Sequence, residues 1–145
     1  MEKVKLKKKR QCPFCEFKES KALIYSDEFC FAIISKNPIN RYHILVIPNY
    51  HCTRFTTLPD SQAAHLFLVV KKLSILVTKV CSPDAVTYTF DDDITDTGIN
   101  LVDHLKVHII PRFKKDLDRI DWGVLRKKEL DFKRYAYAER LRKRL

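Results

Sequence analysis

A chain of 145 residues, 46% apolar and with only two glycines, is one domain's worth of protein and can bury an ordinary core. Low-complexity disorder is excluded for its body, and no apolar run reaches the roughly 20 residues of a membrane span, the longest (63–80) being broken by Lys71 and Lys72. The net charge of +10 has the sign of a nucleic-acid binder but is unevenly spread. Residues 1–10 carry six basic residues against Glu2, and residues 113–145 carry twelve against six acidic ones, so the stretch between is near neutral. Any polyanion contact therefore belongs to the two ends. The N-terminus is charged with no apolar segment behind it, so no secretory signal is expected. Five cysteines, an odd number, then argue for free thiols in a reducing, intracellular compartment, cytoplasmic or nuclear.

Residues 1–11 read as a basic arm, with a cluster over 5–10 that resembles a nuclear-localisation signal. Cys12-Pro13-Phe14-Cys15 follows, a spacing open to a zinc knuckle, a redox pair or chance. Residues 22–25 and 28–35 are β-prone runs separated by Ser26-Asp27, which predicts a hairpin. Residues 42–48 form a third strand between Asn-Pro and Pro-Asn turn signals. Thr57-Leu58-Pro59-Asp60 predicts a helix start, with Thr57 as the cap and Asp60 closing an acidic capping box. Leu66, Val70, Leu73, Val77 and Val80 recur at helical spacing as one buried stripe, which Ser82-Pro83-Asp84 ends. Residues 85–91 are a fourth strand, an acidic loop follows, and 105–111 are a fifth. Residues 124–145 read as a helix with Leu130, Tyr137, Ala138, Leu141 and Leu145 on one side. Strands with short connections and one long helix predict an α+β fold: an antiparallel sheet of about five strands, a long helix and a C-terminal helix. The domain spans 12–112, between the basic arm and a basic C-terminal extension over 113–145.

The last strand carries the chemistry: His104-Leu105-Lys106-Val107-His108-Ile109-Ile110-Pro111-Arg112. Alternation puts His104, Lys106 and His108 on one face and Leu105, Val107 and Ile109 on the other, in the core. Two imidazoles flanking an ammonium can hold a ligand, or can simply be the wet face of an amphipathic strand.

The run resembles the motif of the histidine triad (HIT) family, His-x-His-x-His followed by apolar residues and often Pro-Arg. Upstream, Arg41-Tyr42-His43-Ile44-Leu45-Val46-Ile47-Pro48-Asn49-Tyr50-His51 is similar to that family's Gly-His-x-Leu-Val-Ile-Pro-Lys-x-His. Cys12-Pro13-Phe14-Cys15 resembles its zinc-binding N-terminus, so three motifs in order cover residues 12–112. The resemblance implies a HIT-like fold and a structural Zn2+ held by Cys12, Cys15, His51 and His104, although His51 by itself could be an ordinary loop residue. A closed Cys/Cys/His/His tetrahedron is a structural arrangement.

In the family the middle histidine attacks the α-phosphorus of a nucleotide ester, anhydride or phosphoramidate, and a covalent nucleotidyl intermediate is then hydrolysed. Imidazole suits this role because its neutral form is populated at pH 7. The matching residue is Lys106, and a lysine of ordinary pKa is only about 0.04% neutral at that pH. Lys106 therefore suits anion binding better than attack. The resemblance assigns nucleotide contacts to Ile33, Ser35, His43, Asp93 and Asn100, with His108 as the third triad position. Ser35 replaces a ribose-binding Asp or Asn, Asp93 replaces an Asn or Gln, Asn100 replaces a Gln, and Leu101 replaces a hydroxyl. Asp91-Asp92-Asp93 are consecutive rather than alternately spaced and read as a solvated acidic turn, not a divalent-metal loop. His65 reads as a surface or packing residue.

The implied function is binding of a nucleotide, a purine mononucleotide by family precedent, with hydrolase or transferase activity weakened or lost. Two alternatives stay open: an active enzyme using Lys106 or His108, and an interaction module working through the basic ends. The family also implies a homodimer, for which the C-terminal apolar stripe offers a surface.

Overall fold

The computed structural model describes residues 11–116 and 128–145. The basic arm over 1–10, and the first residues (124–127) of the expected C-terminal helix, lie outside the described residues. In chain order the main elements are β1 (Leu23–Ser26), β2 (Cys30–Ile34), β3 (Ile44–Pro48), α1 (Asp60–Cys81), β4 (Ala85–Thr89), β5 (Val107–Arg112) and α2 (Asp131–Arg142). The strands form one antiparallel sheet in the order β1-β2-β3-β5-β4. This is the α+β architecture expected from the strand and helix pattern, and the HIT-like arrangement that the resemblance implies.

Asp27 makes the β1–β2 turn. Its Oδ1 accepts the amides of Phe29 at 2.7 Å and Cys30 at 2.8 Å, so a side chain substitutes for strand pairing where the chain reverses. Its Oδ2 accepts the Tyr25 hydroxyl at 2.6 Å and pairs with His65 Nε2 at 2.6 Å. His65, on α1, is thus a packing residue that ties the helix to the hairpin.

Every residue of β2 and β3 is buried, because both sheet faces are covered. On one face Ala32, Ile34, Ile44, Val46, Val107 and Ile109 meet Leu66, Val69, Val70, Leu73 and Val77 of α1 and Ala138 and Leu141 of α2. On the other, Phe31, Ile33, Leu45 and Ile47 meet Phe14 and Phe17 of the N-terminal segment. Each such aliphatic or aromatic side chain contributes about 1.5–3 kcal/mol on burial.

Two local expectations are revised. Thr57 does not cap α1. It lies in a 3-10 turn (Phe55–Thr57), where its hydroxyl donates to the Arg54 carbonyl at 3.0 Å, and Pro59 stands at the N-cap with no side-chain cap bond. The other end behaves as expected: Ser82 turns left-handed (φ 46°), its amide bonds to the Thr78 carbonyl at 3.1 Å, and Pro83 prevents continuation.

The buried side of α2 is also rotated from the expected stripe. Leu130 and Leu145 are about half exposed, whereas Arg134, Ala138 and Leu141 are buried. Arg134 is fully enclosed because its guanidinium has partners on three sides: Glu19 at 2.9 Å, Asp131 at 3.1 Å and the Ile34 carbonyl at 3.1 Å. Ala138 and Leu141 are spent in the chain's own core, so this side of α2 is not a surface for a second copy.

Candidate functional site

The N-terminal knuckle folds against the loop after β3 and the segment before β5. Cys15 Sγ lies 3.2 Å from His51 Nδ1 and 3.6 Å from His104 Nδ1, Cys12 Sγ lies 3.4 Å from His104 Nδ1, and the two Nδ1 atoms face each other at 3.2 Å. All four donor atoms fall within 4.8 Å of one another. A tetrahedral zinc, with bonds of about 2.0–2.1 Å to nitrogen and 2.3 Å to sulfur, holds its ligand atoms roughly 3.3–3.8 Å apart. These four residues form a cluster of the size and donor set that can bind such an ion.

The surroundings prepare His104 for that role. Its Nε2 lies 2.8 Å from the Pro48 carbonyl, which fixes the proton on Nε2 and turns the Nδ1 lone pair toward the cysteines. Burial holds the His104 pKa down at about 4, against the pull of the Pro48 carbonyl and with help from neighbouring His51 and Lys106, so the ring is neutral at pH 7. Phe14, between the two cysteines, packs edge-on against the His104 ring at 5.8 Å. All five cysteines are unbridged.

Beside this cluster, sheet register lays down a continuous row. Leu23 pairs with Ile33, Ile33 with Leu45, Leu45 with His108, and His108 with Thr89. Directly paired residues share a face, so the row runs from apolar to polar across all five strands. Above it the surface opens into two lobes. One, of about 510 Å³, has Ile33, Leu45 and Phe17 among its apolar walls and Ser35 and Lys36 at one end. The other, of about 370 Å³, is lined by Thr89, Asp91, Asn100 and Ile99. Lys106, His108 and Leu101 border both lobes.

Lys106 is 7% exposed, and its ammonium donates to the carbonyls of Val102 at 2.9 Å and His104 at 3.3 Å while standing 5.7 Å above the Phe14 ring. His43 is fully buried behind His108. Its Nδ1 accepts the Ile39 amide at 3.0 Å, so its proton is on Nε2, which meets His108 Nδ1 at 2.9 Å. His108 then carries its own proton on Nε2, on the side turned away from His43.

Of the residues expected from the motifs, Ile33, Ser35, Lys106 and His108 line the first lobe and Asn100 the second. His43 supports His108 from behind. Asp93 is not brought to the cleft. It is half-buried in the loop, where its two oxygens accept the amides of Thr97 at 2.7 Å and Gly98 at 2.8 Å, and these bonds hold its pKa below the ordinary carboxylate value. Asp92 is likewise engaged, by the Phe55 amide at 2.7 Å. Asp91, two residues before Asp93 and just beyond the end of β4, lines the cleft instead, beside Thr89. Arg134 also lines the first lobe, from a helix that no motif connects with it.

Residues 16–115 match the HIT domain. An uncharacterized HIT-like protein of Methanocaldococcus jannaschii is 30% identical over 123 residues, which are 83% of this chain and 93% of that one. The asymmetrical bis(5'-nucleosyl)-tetraphosphatase of Schizosaccharomyces pombe is 33% identical over 112 residues, 77% of this chain but only 60% of the longer yeast protein. The crystal structure of a hypothetical histidine triad nucleotide-binding protein from Sulfolobus tokodaii superposes with a TM-score of 0.75 at 26% identity, over 91% of this chain and 90% of that one. By sequence and by fold, the chain belongs to the HIT family.

Proposed function

We propose that the two-lobed cleft binds a nucleoside monophosphate moiety, with base and ribose in the first lobe and the phosphate at the junction beside Lys106 and His108. The observation that carries this reading is the row Ile33, Leu45, His108, Thr89, which supplies an apolar bed ending in a polar group that presents an N–H. Lys106 takes the position of the family's nucleophile and serves as an anion anchor. Its nitrogen is turned onto two backbone carbonyls, an orientation that suits holding charge rather than directing a lone pair at phosphorus. Hydrolysis of phosphoramidates or dinucleoside polyphosphates is accordingly weak or lost. The tetraphosphatase relative supports a nucleotide phosphate as the ligand class.

The test is calorimetric titration of the full chain with adenosine monophosphate. Saturable, stoichiometric binding that weakens in Lys106→Ala supports the reading, and no binding by the wild-type chain sinks it.

Cys12, Cys15, His51 and His104 would hold a zinc ion that ties the N-terminal knuckle to the strand presenting Lys106 and His108. Such an ion is structural: the four protein ligands fill its coordination. Among the described residues no helix is long and apolar enough to cross a membrane.

For the homodimer that the family implies, β4 offers an edge strand, and Phe67, Ile75 and Tyr88 line an apolar groove of about 700 Å³ between it and α1. The basic ends add weak, sequence-independent polyanion binding.

A further inference from the structure

The two lobes differ in charge, and the difference concerns the part of a ligand that lies beyond its phosphate. The first lobe has Lys18, Lys36 and Arg134 in its walls, set against Glu16 and Glu19. In the second, apart from the shared Lys106 and His108, Asp91 is the single charged residue, among Thr89, Asn100 and apolar Ile99 and Leu101. The segment that builds this lobe, residues 91–103, contains five aspartates and neither lysine nor arginine. Asp92 and Asp93 are committed to backbone amides. Asp91 is not: among the described residues its carboxylate accepts no hydrogen bond, while its own carbonyl accepts one from Asn100 Nδ2 at 3.2 Å, which draws the loop back over the strand end. The half-buried carboxylate therefore stands in the lobe wall, across which Lys106 and His108 are shared with the first lobe.

We infer that Asp91 is a specificity-determining residue, and that the second lobe takes a substituent on the nucleotide phosphate that carries a cationic amine. A substituent bearing further phosphate, sulfate or carboxylate would be disfavoured there. This rests on the nucleotide reading above. Given a phosphate at Lys106 and His108, the next group along the ligand enters a lobe whose only unshared charge is negative. Apolar Ile99 and Leu101, both exposed at its rim, suit an alkyl chain leading to that amine.

The experiment uses the full chain and a matched series of ligands: adenosine 5'-monophosphate, and its phosphate esters with butanol, 4-aminobutanol and 4-hydroxybutanoic acid. Calorimetric affinities are expected in the order amine, alkyl, carboxylate, with roughly tenfold between the ends, the size of a partly exposed charge pair gained and a like-charge pair avoided. The spread should contract as salt rises from about 0.02 to 0.5 M, because screening shortens the reach of the carboxylate. In Asp91→Asn, which keeps the side chain's shape and removes its charge, the spread should fall to about threefold. Binding of the carboxylate ester as tightly as the amine ester would overturn the inference while leaving the nucleotide reading intact, as would an unchanged spread in Asp91→Asn. Failure of every ligand, adenosine monophosphate included, would overturn both.

Discussion

His43 Nε2 lies 2.9 Å from His108 Nδ1, and the opposite nitrogen of His43 accepts the Ile39 amide at 3.0 Å. A backbone amide therefore sets the tautomer of a buried ring, and that ring sets the tautomer of the one in the cleft. His43→Leu keeps the volume and removes both contacts. The orphaned Ile39 amide is expected to cost about 1–3 kcal/mol of stability, read by urea unfolding. Adenosine monophosphate affinity should drop about tenfold as His108 loses its orientation, with metal content unchanged. Affinity equal to wild type would show that His108 needs no such support.

Protein purified without added metal is expected to contain one zinc per chain by elemental analysis. Strong chelation should lower the melting midpoint by several degrees, because the ion binds the folded arrangement and not the open chain. Cys12→Ser should lose the metal and the chelator sensitivity together. A folded chain with no metal and no response to chelator would remove zinc from the account.

The wild-type chain should hydrolyse adenosine phosphoramidate negligibly, and Lys106→His should restore partial activity on a strand that already presents His104 and His108. Full activity is not expected, since Ser35, Asp93 and Leu101 depart from the groups that the family resemblance implies there, and positioning contributes several kcal/mol to barrier lowering. If the wild-type chain does turn over substrate, mass spectrometry should be used to seek a nucleotidyl adduct. An adduct on Lys106, absent from Lys106→Ala, would make this an enzyme with a substituted nucleophile.

Asp27 predicts an acid-sensitive contribution to stability. Burial by itself would raise its pKa. Hydrogen bonds from Tyr25, His65 and the amides of Cys30 and Phe29 outweigh that and hold it down at about 2. A carboxyl depressed in the folded state stabilises above its unfolded value near 3.8, and this contribution is lost as pH falls through about 2. Asp27→Asn should therefore cost about 2 kcal/mol at pH 7 and show a flatter stability profile between roughly pH 5 and 2. An acid limb as steep as wild type would refute the assignment.

The basic ends predict polyanion affinity that falls steeply with salt and reads little sequence, because the contacts release counterions from phosphate. The informative truncation removes residues 1–10 alone. A cut after residue 125 would also remove Ala138 and Leu141 from the core. Equal affinity of the shortened and full chains for a mixed-sequence RNA would assign the arm's charge to solubility.

The family resemblance joined His51 and His104 to Cys12 and Cys15, whereas spacing and side-chain alternation alone were sufficient to mark the cysteine pair, to put Lys106 and His108 on one face, and to anticipate the strands and long helix. These features depend on short-range geometry: two-residue periodicity, 3.6-residue periodicity, and the reach of a cysteine pair. The family motif's residue count pointed to Asp93, but the loop uses that side chain to cap its own turn while Asp91 faces the cleft. The pairing of Ile33, Leu45, His108 and Thr89 into one row was invisible in the chain, because it depends on the register between strands far apart in sequence. Arg134 was missed for a related reason. Helical periodicity favours apolar residues for the buried side, but Glu19 and the Ile34 carbonyl, brought in by the tertiary fold, satisfy a guanidinium there and make it a core residue.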